Sequence, residues 1–256
     1  QRHESIVKLV REQGYVTIEF LARLFEVTPQ TIRRDIKTLQ DEGRLRRYHG
    51  GAGFGPSTEN VAYAERKVLC LKEKQDIARL LAEQIPDKSS LFINIGTTTE
   101  EVARALFDHR GLRVITNNLN VASILARNDN FEVIVTGGLV RPRDFGIIGE
   151  ATIDFIRQFK VDFGIIGISG IDLDGTLLDF DYREVRAART IIDNSRRIFL
   201  VADHTKIGRN AMVRLANIAE IDSFFTDRDP PASLQEIMAA NDVKLHIASN
   251  GRDRSS

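Results

Sequence analysis

The sequence predicts an α/β protein: a small helical domain first, then a larger domain built on a mostly parallel sheet. Three observations carry this. Helical periodicity with cap and stop signals occurs three times before residue 43, and a basic, glycine-rich stretch follows. From residue 91 onward, short apolar runs alternate with helical segments, as a parallel sheet requires. A length of 256 residues fits about two domains.

Composition excludes several classes. Apolar residues make up 42% and charged residues 28%, the balance of a soluble globular chain rather than a disordered or fibrous one. Thirty-six Lys and Arg balance 36 Asp and Glu, which rules out a wholly basic coat protein. The neutrality is uneven: residues 1–55 hold ten basic and seven acidic side chains, a difference of +3, which leaves −3 elsewhere. Arg33, Arg34, Lys37, Arg44, Arg46 and Arg47 crowd into one short stretch. The single cysteine, Cys70, has no disulfide partner, as expected in a reducing, cytoplasmic setting. There is no long apolar run and no signal-peptide pattern, so no membrane association is expected.

The first helix carries Ile6, Leu9 and Val10 on one side and stops at Gly14. Thr17 caps a second, with Ile18, Leu21 and Leu24 as its apolar face. Thr28 followed by Pro29 starts a third: a hydroxyl caps it, and proline takes the first position, where no N–H is needed. That helix runs to about Glu42 and ends at Gly43. The following segment, Leu45 to Gly55, suits a short β-ribbon. Three helices and a ribbon form a winged helix-turn-helix pattern.

Within the third helix, Ile32, Ile36 and Leu39 share one face. Gln30, Arg33, Arg34 and Lys37 share the other. Short side chains at the start, Thr28 and Thr31, let the backbone approach a phosphate. Gln30 and Arg33 then reach base edges, where Gln pairs with adenine and Arg with guanine. Arg46, Arg47 and His49 extend this candidate double-stranded DNA site onto the ribbon. A merely solvated basic face is the alternative; caps, periodicity and ribbon together favour DNA.

Pro56 to Thr58 mark a break, and residues 64–85 read as one long charged helix with Ile77, Leu80, Leu81 and Ile85 as its stripe. Cys70 within it reads as an inert packing thiol, with no base spaced to activate it. Strands are expected at 91–95, 112–116, 131–136, 162–168, 197–202, 223–226 and 243–247. Helices are expected at 98–107, 119–127, 150–159, 183–194 and 233–240. The organisation is therefore residues 1–57 as the helix-turn-helix domain and 58–74 as linker and start of a connecting helix. Residues 75–248 form the ligand-sensing domain, and 249–256 a flexible tail.

Ligands in parallel sheets sit at the carboxyl ends of strands, and those ends carry the candidate binding residues. Gly96, Thr97, Thr98 and Thr99 open a helix after the first strand, a natural anion site. Asn117 and Asn118 follow the second strand. Gly137 and Gly138 follow the third, with Arg141 and Arg143 close behind. Asp203, His204, Lys206 and Arg209 follow the fifth; His204 is given a packing role only. Glycines for close approach, hydroxyl donors and cations together describe a phosphorylated small molecule. A bare helix cap is the alternative for Gly96–Thr99.

Two other chemistries have weaker support in the sequence. Asp172 to Asp181, DLDGTLLDFD, resembles the first motif of haloacid-dehalogenase-type phosphatases, but three strand–helix units precede it and only 75 residues follow. A turn at Asp174-Gly175 explains it better. Gly175 also stands too close to Asp172 for a calcium loop. No GxxxxGK[ST] loop and no metal-spaced Cys/His cluster exists, so no cofactor or metal is expected.

The motifs VTPQTIRRD (27–35), RRYHGGA (46–52), LFINIGTT, ITNNLNVA, GIIGEATIDFI, DFGIIGISGID, FDYREVR and VADHTKIGRNAMV together resemble the DeoR family of bacterial sugar-metabolism repressors over almost the whole chain. The resemblance implies a cytoplasmic, homo-oligomeric repressor, dimeric or tetrameric, bound to operator DNA and released by a phosphorylated effector, glycerol 3-phosphate or a sugar phosphate. It also implies a sensor domain related to sugar-phosphate isomerases such as ribose-5-phosphate isomerase. There, catalytic acids closely follow the strand corresponding to 162–168; here Ser169, Gly170 and Ile171 stand instead, which predicts binding without turnover. An isomerase-like or phosphatase-like enzyme with an appended DNA-binding domain is the alternative. Phe145 stands where the family resemblance leads one to expect glycine.

Overall fold

The computed structural model describes residues 2–13, 15–48, 51–53 and 63–248. The expected DNA contact His49, the break at Pro56 and the tail 249–256 lie outside them.

The first domain holds helices α1 (Arg2–Gln13), α2 (Ile18–Leu24) and α3 (Pro29–Asp41), with strands β1 (Tyr15–Thr17), β2 (Arg46–Tyr48) and β3 (Gly51–Gly53). The strands pair antiparallel in the order β1-β3-β2, so the ribbon is a wing tied to the first turn of the motif. Both caps form: Thr17 Oγ1 accepts the Phe20 N–H at 3.0 Å, and Thr28 Oγ1 accepts the Thr31 N–H at 3.2 Å. Gly43 leaves α3 with φ +70°, the left-handed turn that glycine tolerates best. Ile6, Val10, Ile18, Leu21, Ile32, Ile36 and Leu39 are buried in one small core. Leu24 is not among them: it lies in the last turn of α2, half exposed, and Ala22 is buried instead.

The expected long connecting helix is two helices, α4 (Tyr63–Val68) and α5 (Leu71–Ala82). They break at Cys70, whose φ of +52° no helix interior accommodates. Ile77 and Leu81 are buried as expected, while Leu80 is only partly covered.

The remaining chain runs β4 (Ser90–Ile93), α6 (Thr97–Ala105), β5 (Arg113–Thr116), α7 (Leu119–Leu125), β6 (Glu132–Val135), β7 (Leu139–Arg141), β8 (Gly146–Ile148) and α8 (Glu150–Ile156). Then come β9 (Val161–Gly167), β10 (Gly170–Ile171), β11 (Thr176–Asp179), α9 (Tyr182–Asp193), β12 (Ser195–Val201), β13 (Val213–Asn217), β14 (Ser223–Thr226), α10 (Ala232–Ala240) and β15 (Lys244–Ile247). Seven strands form one parallel sheet in the order β15-β14-β12-β9-β4-β5-β6. Successive side chains alternate between its faces. Leu91, Ile93, Ile165 and Val201 meet α5, α6 and α7, while Phe92, Ile166 and Leu200 meet α8, α9 and α10. Both faces are covered, as a parallel sheet demands.

Two small antiparallel sheets were not foreseen: the β7–β8 hairpin and the β10-β11-β13 sheet. The phosphatase-like stretch lies in the latter. Its Asp-Gly is a hairpin turn, with Gly175 at φ +85° donating to the Asp172 carbonyl at 2.9 Å. Among the described residues, no helix is long and apolar enough to cross a membrane.

Candidate functional site

Two sites follow from this architecture. The first is the outer face of α3. Ile32, Ile36 and Leu39 point inward, which leaves Thr28, Gln30, Arg33, Arg34 and Lys37 exposed and Thr31 half-buried at the N-terminal turn. Arg46 and Arg47 stand exposed on the wing, and the Arg47 N–H donates to Gln40 Oε1 at 3.0 Å, fixing the wing against α3. Asp35, on the inner side of α3, is buried. It accepts Arg2 Nε at 2.7 Å and pairs with His3 at 3.0 Å. Burial would raise its pKa, but these bonds outweigh burial and hold it below the ordinary carboxylate value.

The second site lies at the carboxyl ends of three adjacent strands, β4, β9 and β12. A small pocket there is lined by Gly96, Thr97 and Thr98 after β4, by Gly167, Ile168 and Ser169 at the end of β9, and by Lys206 and Arg209 after β12. Arg66 of α4, Asp179 and Glu184 complete the wall with Ile95. The cavity measures about 30 Å³, room for about two waters. The helix α6 directs its N-terminal N–H groups here, next to the hydroxyls of Thr97 and Thr98.

Of the residues expected to bind ligand, five thus come together: Gly96, Thr97, Thr98, Lys206 and Arg209. The others have different partners, among them Arg143, which lies 3.5 Å from Asp181. Thr99 Oγ1 donates to the carbonyls of Asn94 and Gly96, bracing the loop from behind. Asn117 Nδ2 donates to the Ile147 carbonyl, and Asn118 caps α7. Gly137 accepts Thr152 Oγ1, and Gly138 packs where a Cβ would lie 2.3 Å from that hydroxyl. Strand β6, which precedes both glycines, is the sheet edge, two strands beyond β4. Arg141 is buried in an ion cluster with Asp144, Asp181 and Glu184, at 2.7, 3.0 and 2.7 Å. Asp203 is buried, 3.3 Å from Lys206, and positions that lysine.

Arg66, Ser169, Asp179 and Glu184 were missed by sequence reasoning. The two acids arrive from DFDYRE (179–184), on β11 and α9, rather than from the residues after β9. The long-range pairing of β11 that brings them back leaves no local sequence signal.

Burial pushes the Glu184 carboxyl up to about 8, and the neighbouring Asp179 adds to the shift. Burial raises Asp179 as well. Burial lowers Lys206, against the pull of Asp203, and lowers the fully buried Lys74 to about 8, with Lys206 adding to the effect. Asp203 is held well below the carboxylate range: Lys206 and Lys74 outweigh its burial. Cys70, Asp203 and His204 bring ligand atoms within 4.8 Å of one another. The two lysines already compensate that carboxylate, which makes the cluster a poor cation site. Burial pushes the Cys70 thiol up to about 12, in keeping with an unreactive side chain.

Residues 2–58 match the DeoR-like helix-turn-helix domain, and residues 70–228 match the DeoR C-terminal sensor domain. The glycerol-3-phosphate regulon repressor of Escherichia coli is 52% identical over 247 residues, covering 96% of this chain and 98% of that one. The glycerol-3-phosphate regulon repressor of Haemophilus influenzae is 47% identical over 253 residues, covering 99% and 98%. Among solved structures, ribose 5-phosphate isomerase A from Neisseria gonorrhoeae aligns with 52% of each chain at 15% identity and a TM-score of 0.39. With both of its parts matched in order and the likeness to named repressors running nearly end to end, the chain belongs to the DeoR family.

Proposed function

We propose that this chain is a DNA-binding transcriptional repressor of a glycerol or carbohydrate catabolic operon, released by a phosphorylated effector, glycerol 3-phosphate first among the candidates. The observation that carries it is the outer face of α3, where Gln30, Arg33, Arg34 and Lys37 stand exposed together on a helix otherwise locked into a core. In this reading residues 1–57 read the operator, as one of two or more copies in a homo-oligomer, and residues 75–248 hold the effector. The phosphate lies on the Gly96–Thr98 loop with Lys206 and Arg209 as countercharge. The relatives named as glycerol-3-phosphate regulon repressors support that choice of effector.

The pocket binds without turnover in this proposal, and its carboxyls serve recognition. The test is a fluorescence-anisotropy titration of the full chain on operator DNA with and without glycerol 3-phosphate. Effector must weaken DNA binding, and DNA must weaken effector binding by the same factor. An effector that binds the chain and leaves its DNA affinity unchanged sinks the proposal, as does conversion of the effector to product.

A further inference from the structure

The 3₁₀ turn His204–Lys206 faces two ways. Lys206 lines the sheet-end pocket. The same turn also abuts β1 of the N-terminal domain. There the two domains flank a cleft, with Val16, Thr17 and Phe20 on one wall and Leu173, Ile207 and Gly208 on the other. The seat is narrow: about 460 Å³ of open space remains between the two surfaces, so a few contacts, and not a packed core, hold the domains in place.

Each half of the seat is tied to one of the two sites. The Gly208 N–H donates to the Ile171 carbonyl at 2.7 Å, which joins the turn to the β10–β11 hairpin that carries Leu173. His204 Nδ1 pairs with Asp227 at 2.6 Å and bonds the turn to the end of β14. On the N-terminal side, β1 pairs with the wing strand β3, Val16 opposite Ala52, and Thr17 caps α2. Whatever holds β1 therefore holds the wing and the helix-turn-helix together. In this arrangement the outer face of α3 is exposed, while the pocket, at about 30 Å³, is too small for a polyol phosphate. The seat thus belongs to the closed, DNA-ready state.

Resting on the reading of this pocket as the phosphate-effector site, we propose that the seat of β1 on the 204–208 turn is the link between effector and DNA within one subunit. With the pocket closed, the turn supports β1 and fixes the direction in which α3 is presented. Effector entry moves the pocket wall, Lys206 with it; the turn shifts and β1 loses its support. A ligand shifts such an equilibrium only through unequal affinity for the two states, and a pocket that must open to admit it supplies that inequality.

Leu173 is the residue to change: it is 41% exposed, lines the cleft, and belongs neither to the pocket wall nor to the outer face of α3. Leu173→Asp puts a charge into the seat. In the full-length wild type, glycerol 3-phosphate should lower operator affinity by ~5–150-fold; in Leu173→Asp that factor should shrink below about 3-fold, with effector affinity by calorimetry no weaker than in the wild type. Because the factor is read within one protein, a partial loss of folding does not imitate it. The chain has no tryptophan, so Leu173→Trp supplies a sole indole reporter at the seat. Its emission should shift to the red when glycerol 3-phosphate saturates the chain and water enters the cleft. Leu139→Trp, at a 63% exposed position outside the cleft, should not respond. In a chain whose DNA affinity does respond to effector, an undiminished factor in Leu173→Asp or a silent Leu173→Trp emission overturns the proposal. A wild type that binds no phosphate ester overturns the pocket reading instead, and effector control of the seat falls with it.

Discussion

The Arg2 guanidinium grips the Asp35 carboxylate with two hydrogen bonds, 2.7 and 3.1 Å, tying the first turn of α1 to the inner side of α3. Asp35 faces away from the surface proposed to meet DNA, so its effect on binding runs through folding. Asp35→Ala should destabilise the N-terminal domain by about 1–3 kcal/mol, since it leaves Arg2 and His3 without their shared acceptor. Its pKa is lowered in the folded state, so this contribution is present above the ordinary value of 3.8 and fades as pH falls through the lower, folded one. Chemical denaturation at pH 7 and pH 3 checks both statements: the variant's deficit should shrink at the lower pH.

Arg33 and the wing arginines should separate by the kind of binding they support. Arg33→Ala should cost about 1–3 kcal/mol on operator DNA and relax discrimination at one base pair. Arg46→Ala or Arg47→Ala should weaken binding to all sequences alike and reduce the salt slope by about one. Binding isotherms on operator and scrambled duplex at several salt concentrations distinguish the two. Intact discrimination in Arg33→Ala would remove that residue from base readout.

Thr97→Val removes a hydroxyl from the pocket, and Lys206→Ala removes a charge. Each should weaken glycerol 3-phosphate binding about tenfold or more, the larger loss falling on Lys206, with DNA affinity in the absence of effector unchanged. Calorimetry gives the first quantity and anisotropy the second. Lys206→Ala also leaves Asp203 buried with one cation fewer, so its melting temperature is expected to fall while that of Thr97→Val holds.

Glu184 should leave a signature in the pH dependence of stability. Its folded pKa, about 8, exceeds the ordinary 4.5, so between these values the folded state holds the proton more tightly than the unfolded one. Stability from this group is therefore full below pH 4.5 and is lost as pH rises toward 8. Glu184→Gln should flatten that fall. A difference of ~1 kcal/mol in the pH response would appear as about 2–4 °C in melting temperature, measurable by scanning calorimetry at pH 5.5 and 8. Identical pH slopes for variant and wild type would mean Glu184 is already ionised at neutral pH.

Local signals accounted for the N-terminal domain because its determinants are local: Thr17 and Thr28 cap within three residues, and Ile32, Ile36 and Leu39 read as one face. The parallel sheet was legible for the same reason, each strand being a short apolar run. Strand order was not, and strand order decides which loops meet. It makes neighbours of β4, β9 and β12 and leaves the Gly137-Gly138 loop at the sheet edge, although all these loops look alike in the sequence. Asn117 and Arg141 do not reach the pocket, and composition could not tell this, because a polar side chain that holds a buried loop looks the same in sequence as one that holds a ligand. The break at Cys70 was invisible because nothing in the sequence around it marks a left-handed residue.

The small size of the pocket carries a kinetic consequence. A cavity with room for about two waters does not admit a polyol phosphate as it stands. Side chains of the wall must first move, so the effector waits on an opening event that the protein makes on its own schedule. Association should then fall below the usual range for unhindered encounter and level off as effector concentration rises, instead of climbing in proportion. Derepression would answer to sustained metabolite levels and pass over brief surges, a form of noise rejection set by how seldom the pocket opens.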